Sequence, residues 1–373
     1  MKPSPESAIV STRHRRYLVR APNWIGDTVM ATPAVHRLRE LDPFAHLAVL
    51  CPAQLADLWR HNPHVNEVIA FDRRPPLARL RAGRFDVAVL LPNSFRAAWE
   101  AWRAGIPQRV GQAGHWRRAL LTDVVPEPAG ERPGHRTITV AGQTFTTKTY
   151  AARRHESQRF LDIVGHLGAR RDPLPPRIWL APGETPALTK FFHEGRRPFF
   201  ALNAGAEFGP AKRWPADRFA EAAQRIAAAV PCRWLLVGGP GDVPLARQIE
   251  TALRAHLTDP RDVVNVAGQT TLAELCVLLK FCRLVLTNDT GPMHLAEAVG
   301  TPVVAVFGST SPAMSGPTGT HSRVVRVPVE CSPCFLRECP IDFRCMHQVT
   351  VAMVVAAALE VWQEIGPTRG HHV

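Results

Sequence analysis

The sequence predicts an α/β protein of two Rossmann-like, doubly wound domains facing a central cleft. Three observations carry this. From residue 16 onward, short apolar runs alternate with stretches of helical periodicity, the pattern of parallel sheets covered by helices on both faces. The alternation fades over residues 126–150 and in a proline-rich stretch, then restarts at residue 198. A length of 373 residues suits about two domains.

In the first half, YLVRA (17–21) reads as a strand, followed by helical sequence to residue 41. HLAVL (46–50) is a strand, 53–60 a helix, VNEVIAF (65–71) a strand and LARLRAG a short helix. DVAVLLP (86–92) is a strand and FRAAWEAWRAG (95–105) a helix. Residues 126–150 are polar and aperiodic. HESQRFLDIVGHLGA (155–169) restores a helix, and RRDPLPP and LAPGETP form a linker.

In the second half, PFFALNAG (198–205), RWLLVGG (233–239), VVNVAG (263–268), RLVLTND (283–289) and PVVAVFG (302–308) read as strands. Helices lie between them at 216–230, from residue 243, at 271–282 and from residue 291, and a last one spans 351–365. The expected domains are a basic tail over 1–16, an N-terminal domain over 17–180, a C-terminal domain over 181–350, the helix 351–365 and a tail over 366–373. In open α/β sheets ligands sit beyond the carboxyl ends of the strands, so two facing sheets would bring two ligands together.

Composition narrows the function. Apolar residues make up 46%, but no apolar run approaches the roughly 18 residues needed to span a bilayer. The N-terminus MKPSPESAIVSTRHRR has no apolar block behind its basic residues, so a secretory signal is not expected and a cytoplasmic location is. The net charge of +13 points to an acidic partner, or simply to arginine-rich coding. With no basic block and only two tyrosines, nucleic-acid binding is not expected.

The chemistry sits at strand ends. In TNDTGPMHLAEAVG, Asp289, Thr290 and Gly291 end a strand and open a helix whose first N–H groups lack internal partners. Thr290 or Asp289 is placed to cap it, Gly291 admits an anion to the backbone, and His294 lies one turn on. Together they read as a diphosphate cradle. In LNAGAEFGPAKRWP, small residues permit close approach and Lys212 is a mobile cation. VGGPGD offers Asp242 as an acceptor for a ribose hydroxyl. Neither G-x-G-x-x-G nor a P-loop occurs, so neither a dinucleotide cofactor nor ATP hydrolysis is expected. In the first half, Gly26 and Asp27 follow the first strand. Asp27 is either a helix cap or a general base facing the cleft. Pro33, a turn or two further on, predicts a bend or restart.

At these residues the sequence resembles glycosyltransferase family 9, the ADP-heptose:lipopolysaccharide heptosyltransferases, and most of all its heptosyltransferase II branch. The resemblance covers roughly residues 16–365. It is carried by NWIGDTVMATPAVHRLRE, NAGAEFGPAKRWP, TNDTGPMHLAEAVGTPVVAVFGSTSP and CSPCFLRECPIDFRCM, in the family's order. It implies a GT-B fold and inverting transfer of heptose from ADP-heptose to the lipopolysaccharide inner core. It implies Asp27 as base, and Gly26, Lys212, Asp289, Thr290, Gly291 and His294 about the donor; Asp242 matches only loosely. No catalytic metal or other cofactor is expected, and no D-x-D spacing occurs in the chain.

The implied acceptor, a lipid A–Kdo core at the inner membrane leaflet, is anionic. Arg96, Arg103, Arg109, Arg117 and Arg118, interleaved with Trp99, Trp102 and Trp116, therefore read as acceptor-side candidates, Arg96, Arg103, Arg117 and Arg118 foremost. The competing reading buries the helix tryptophans and leaves the arginines solvated. The protein is expected to be cytoplasmic and peripheral on the inner membrane face, its oligomeric state open. Of eight cysteines, Cys51, Cys232, Cys276 and Cys282 read as core. Cys331, Cys334, Cys339 and Cys345, spaced C-x2-C-x4-C-x5-C, read as a structural zinc or iron–sulfur site or as reduced thiols. Two alternative functions share the two-domain plan: a sugar-nucleotide epimerase, and a non-catalytic sugar-nucleotide binding module.

Overall fold

The computed structural model describes residues 14–181, 191, 197–257 and 259–366. The expected tails over 1–16 and 366–373 and the proline-rich linker lie partly outside the described residues. The first half holds β1 (Arg16–Arg20), β2 (His46–Pro52), β3 (Glu67–Phe71), β4 (Val87–Leu90), β5 (Gln108–Gln112) and β6 (Asp123–Val125). They form one parallel sheet in the order β3-β2-β1-β4-β5-β6. Its helices are α1 (Ile25–Met30), α2 (Thr32–Leu41), α3 (Asp57–Arg60), α4 (Leu77–Ala82), α5 (Phe95–Arg103) and α6 (Glu156–Gly165). Strands β7 (Gly134–Val140) and β8 (Gln143–Thr149) form a separate antiparallel hairpin.

The second half repeats the plan with β9 (Phe199–Asn203), β10 (Arg233–Leu236), β11 (Val263–Asn265), β12 (Leu284–Asn288), β13 (Val303–Val306) and β14 (Arg323–Val325). The parallel order is β11-β10-β9-β12-β13-β14. Its helices are α7 (Ala216–Ala229), α8 (Val243–Arg254), α9 (Leu272–Phe281), α10 (Gly291–Ala298), α11 (Pro312–Ser315), α12 (Arg344–His347) and α13 (Val351–Ile365).

Local chemistry explains the elements. VAVL of β4 and VVAV of β13 are buried throughout, as strands covered on both faces must be. Thr271 and Glu274 cap α9 reciprocally, and Ser94 caps α5 by accepting from the Ala97 N–H. Pro33 stands in the first turn of α2, just after α1 ends at Ala31, so the expected restart occurs. Several features went unread in the sequence: β5, β6, β14, the β7–β8 hairpin and the short helices α11 and α12.

In each sheet the order of strand addition reverses beside the first strand, between β1 and β4 and between β9 and β12. That reversal opens the crevice where such sheets take ligands. The two crevices meet where α1 lies against α10. A Cβ on Gly26 would stand 2.7 Å from the His294 ring, and one on Gly291 would stand 3.0 Å from the Ile25 side chain. Elsewhere the His155 ring bonds the Gly316 carbonyl at 3.0 Å, and Arg136 of the hairpin donates to the Pro333 carbonyl at 3.4 Å. One apolar core runs through both halves, from Val19 and Val89 to Val285 and Phe307.

Candidate active site

The first-half lip is built from the end of β1. Arg20 is buried there against Glu100 at 3.4 Å, and reaches Asn23 at 2.9 Å, fixing the exit of the chain. Trp24 begins α1 without a side-chain cap, and Asp27 sits in the first turn. Among the described residues the Asp27 carboxylate has no hydrogen-bond or ion-pair partner, so it is not a cap. It is half-buried, and desolvation, reinforced by the nearby Glu156 carboxylate, pushes its pKa up to about 6. Arg159, Lys212 and Arg153 pull the other way. Lys212 belongs to the opposite half, so Asp27 lies within electrostatic reach of the second sheet's site.

Four residues around Asp27 went unread in the sequence. Glu156 opens α6 and is held by Arg153 at 3.0 Å and Arg159 at 2.6 Å. Burial favours its neutral form, but the two arginines outweigh burial and keep its pKa below the ordinary value. Arg159 also donates to the Leu91 carbonyl at 3.1 Å, which ties this cluster to the end of β4. His155, the N-cap of α6, makes the bridge to Gly316. The string RRHESQR announces a helix start; only the tertiary structure shows that it faces Asp27.

The opposite lip gathers three strand ends. Asn288 accepts from the Trp214 N–H at 3.0 Å and donates to the Ala204 carbonyl at 2.8 Å, joining the loops after β9 and β12. Asp289 is buried. Its Oδ2 accepts from Lys212 Nζ at 2.5 Å and from Thr310 Oγ1 at 2.6 Å. Lys212 is thereby held at the mouth of α10. Thr290 is the N-cap residue of α10, yet neither it nor Asp289 caps the helix with its side chain. The helix therefore presents uncapped N–H groups at its positive end.

His294 is buried one turn further on, and burial pushes its pKa down to about 4. The imidazole is neutral near pH 7, so it adds no positive charge to the cradle, and its ring packs on Gly26 across the cleft. Asp242 accepts from the Gly239 N–H at 3.0 Å and packs over Gly205 and Gly238 at the ends of β9 and β10.

The acceptor-side candidates divide. Arg96, Arg103 and Arg118 are exposed, and Arg103 lies over Trp99 at 4.8 Å. Trp99, Trp102 and Trp116 are 37%, 52% and 97% exposed, so the reading that buries the helix tryptophans is overturned. Arg117 is the correction on the other side: it is wholly buried. Its guanidinium donates to the Gln112 carbonyl at 2.7 Å and to the Pro92 and Ser94 carbonyls, so it clamps the loop from within. Arg109 is likewise turned to the main chain, at Leu120.

Cys51, Cys232, Cys276 and Cys282 are buried in the apolar cores as expected. Cys331, Cys334, Cys339 and Cys345 line one small cavity, and all eight thiols are free.

An unpaired acid on one Rossmann-like half, facing a lysine and an uncapped helix N-terminus on the other, defines a glycosyltransferase of the GT-B architecture. The chain belongs to glycosyltransferase family 9 (heptosyltransferase), whose profile matches residues 77–343. It is 31% identical over 327 residues to lipopolysaccharide heptosyltransferase 2 of Escherichia coli K12, covering 84% of this chain and 88% of that one. It is 29% identical over 330 residues to lipooligosaccharide heptosyltransferase 2 of Haemophilus influenzae, covering 83% and 88%. The solved structure of E. coli ADP-heptose lps heptosyltransferase II superposes with a TM-score of 0.77 at 28% identity, over 94% of this chain and 100% of that one.

Proposed function

We propose that the chain transfers heptose from ADP-heptose to the lipopolysaccharide inner core with inversion, and that Asp27 is the general base. The observation that carries this is the unpartnered Asp27 carboxylate, raised to a pKa of about 6 and within reach of Lys212 across the cleft. A base of that pKa is ionised near neutrality and still basic enough to take a proton. The acceptor hydroxyl gives its proton to Asp27 as its oxygen bonds the anomeric carbon. The bond to the ADP oxygen breaks on the opposite face. Negative charge developing on ADP is met by the N-terminus of α10 and by Lys212. Asp289 and Thr310 orient that lysine, and Asp242 offers an acceptor for the ribose. No metal enters the scheme.

An anionic, lipid-linked acceptor suits the first half. Exposed Arg96, Arg103 and Arg118 offer charge, and Trp99, Trp102 and Trp116 suit a headgroup boundary. No helix among the described residues is long and apolar enough to cross a membrane. The protein is read as working at the cytoplasmic face of the inner membrane, bound peripherally. The epimerase reading would need acids placed to move a proton at a sugar carbon, and Asp27, unpartnered among the described residues, fits transfer. The test is to incubate the purified protein with ADP-heptose and defined lipid A–Kdo core acceptors, following ADP release and product mass. ADP release with a product heavier by one heptose is expected. Absence of both with every acceptor overturns the proposal.

A further inference from the structure

We propose that Glu156 is a positioning residue for transfer: by holding Arg153 and Arg159 to itself, it keeps both guanidiniums off Asp27 and leaves that carboxylate free to take the acceptor's proton. This role rests on the reading of Asp27 as the base. The pairing is not the one that simple electrostatics would choose. Helix α6 packs against α1, and Glu156, Arg153 and Arg159 all act on the Asp27 carboxylate. Two acids thus share one part of the cleft with two arginines. One arginine for each acid would offset the desolvation of both. Instead both arginines bind Glu156, and Asp27 has no hydrogen-bond or ion-pair partner among the described residues.

The cluster gives one carboxylate oxygen to each arginine. Glu156 Oε2 accepts from Arg153 Nη2 at 3.0 Å. Its Oε1 accepts from Arg159 Nε at 2.6 Å and from Nη2 of the same fork. Arg159 Nη1 points the other way, to the Leu91 carbonyl at 3.1 Å and Gln112 Oε1 at 3.4 Å, so the ends of β4 and β5 anchor it. Arg153 lies over the Tyr150 ring at 4.6 Å. The Glu156 and Arg159 side chains are 13% and 15% exposed, so solvent ions screen them weakly. A glutamate in the first turn of a helix is ordinary, since it meets the positive end of the helix. That role asks neither for two arginines nor for a place beside a second acid.

The other charged and titratable groups about Asp27 are also engaged elsewhere. Lys212, across the cleft, is held by Asp289 at 2.5 Å. His294 is kept neutral by burial, its ring against Gly26. His155 is engaged by the Gly316 carbonyl and by Ser157 Oγ. Arg153, Arg159 and Lys212, the cations that act on Asp27, therefore each have a carboxylate partner other than Asp27. An arginine paired directly with Asp27 would pull its pKa down by about 1–3 pH units. So weak a base would take a proton from a hydroxyl poorly.

The test reads the Asp27 carboxyl itself. Full-length protein, isotope-labelled in its aspartate carboxyl groups, is titrated by NMR, and the Asp27 signal is the one lost in Asp27→Asn. Glu156→Gln keeps the shape of the side chain and removes its charge, which releases an arginine to Asp27. The Asp27 pKa is expected to fall by about one pH unit or more, and the acid limb of kcat/KM to move down with it. A residue that only supported the fold would lower the rate and leave the limb in place. Arg159→Gln removes one held cation and leaves Glu156 the other. There the Asp27 pKa is expected to rise by less than about one pH unit, short of the effect of a direct ion pair. An unchanged Asp27 pKa in Glu156→Gln overturns the proposal, and so does a larger rise in Arg159→Gln, which would mean that Arg159 already serves Asp27. Either variant decides alone should the other fail to fold. If the Asp27 pKa falls in Glu156→Gln while the acid limb stays where it was, the base reading is overturned and the hold of Glu156 on the arginines stands.

Discussion

Asp27 owes its character to its neighbours more than to its own position. In the proposed reaction its ionised form is the working base, so activity should fall as pH drops through about 6, roughly tenfold per unit below that, in the pH profile of kcat/KM. Asp27→Asn should lose about 10²–10⁴ in rate while keeping ADP affinity, since the amide has the shape but not the basicity. The same shift bears on stability. The folded pKa lies above the unfolded one, so the fold loses stability as pH rises from about 3.8 to about 6 and Asp27 ionises. Asp27→Asn should therefore melt higher than wild type at pH 8, and an unchanged or lower midpoint would contradict the desolvated placement. On the other lip, Lys212→Ala should weaken ADP binding by about 10–100-fold in calorimetry, the scale of one charge-assisted bond. Gly26, Asp27, Lys212 and Asp289 were legible because strand ends mark them in the sequence. Arg153, Glu156 and Arg159 were not, because their meeting with Asp27 depends on how α6 packs over β4.

Helix α5 and the loop after β5 act as one element. His115 and Trp116 both have left-handed backbone, at φ 47° and 63°, a conformation that non-glycine residues adopt at a cost. The buried Arg117 clamp holds the chain there and leaves Trp116 in solvent. Substituting Arg96, Arg103 and Arg118 together with serine should raise the acceptor KM and weaken binding to anionic vesicles, with ADP affinity unchanged. The loss should fade as salt rises through about 0.15 M, where exposed charges are screened. Wild-type vesicle binding by the triple variant at low salt would exclude this face. Arg117→Ala should behave differently: it strands buried carbonyls and should cost about 2–4 kcal/mol of stability in denaturant titration. Arginine spacing alone could not separate these two kinds of residue. The β7–β8 hairpin escaped notice for a related reason. Its strands alternate, and Ala141 and Gly142 both take positive φ at the turn, but the inward face has just Ile138, Val140 and Phe145 as apolar residues, beside Arg136 and Thr147. Patterning finds strands that bury one apolar face, and this hairpin's inner contacts are few, Val140 and Thr147 among them.

At the scale of the molecule, the alternation of apolar runs marked most strands of both sheets, because buried parallel strands must be apolar on both faces, and it missed the shorter or polar β5, β6 and β14. It could not dictate how the halves meet. That contact is made through α1 and α10, where Gly26 faces His294 and Gly291 faces Ile25. Gly26 lies inside α1, and its backbone is not left-handed, so helix geometry does not require glycine there. Alanine at the same place would stabilise an isolated helix by about 0.5–1 kcal/mol. Its methyl group would also stand 2.7 Å from the His294 ring, well inside van der Waals contact, and the halves would have to part to admit it. Parting them would move Asp27 away from the donor site proposed on the other half. Misplacement by about 1 Å costs as much as 10²-fold in rate. Gly26→Ala should therefore keep the fold and bind ADP within about twofold of wild type, since the charged and hydrogen-bonding groups proposed to hold ADP, Lys212, Asp242 and the N-terminus of α10, lie in the second half. Its kcat should fall on the order of 10–100-fold. Serine and valine at the same position should lower kcat further in order of size, with the radius of gyration in solution scattering rising alongside. A Gly26→Ala enzyme with wild-type kcat would show that the close contact between α1 and α10 is not needed for transfer.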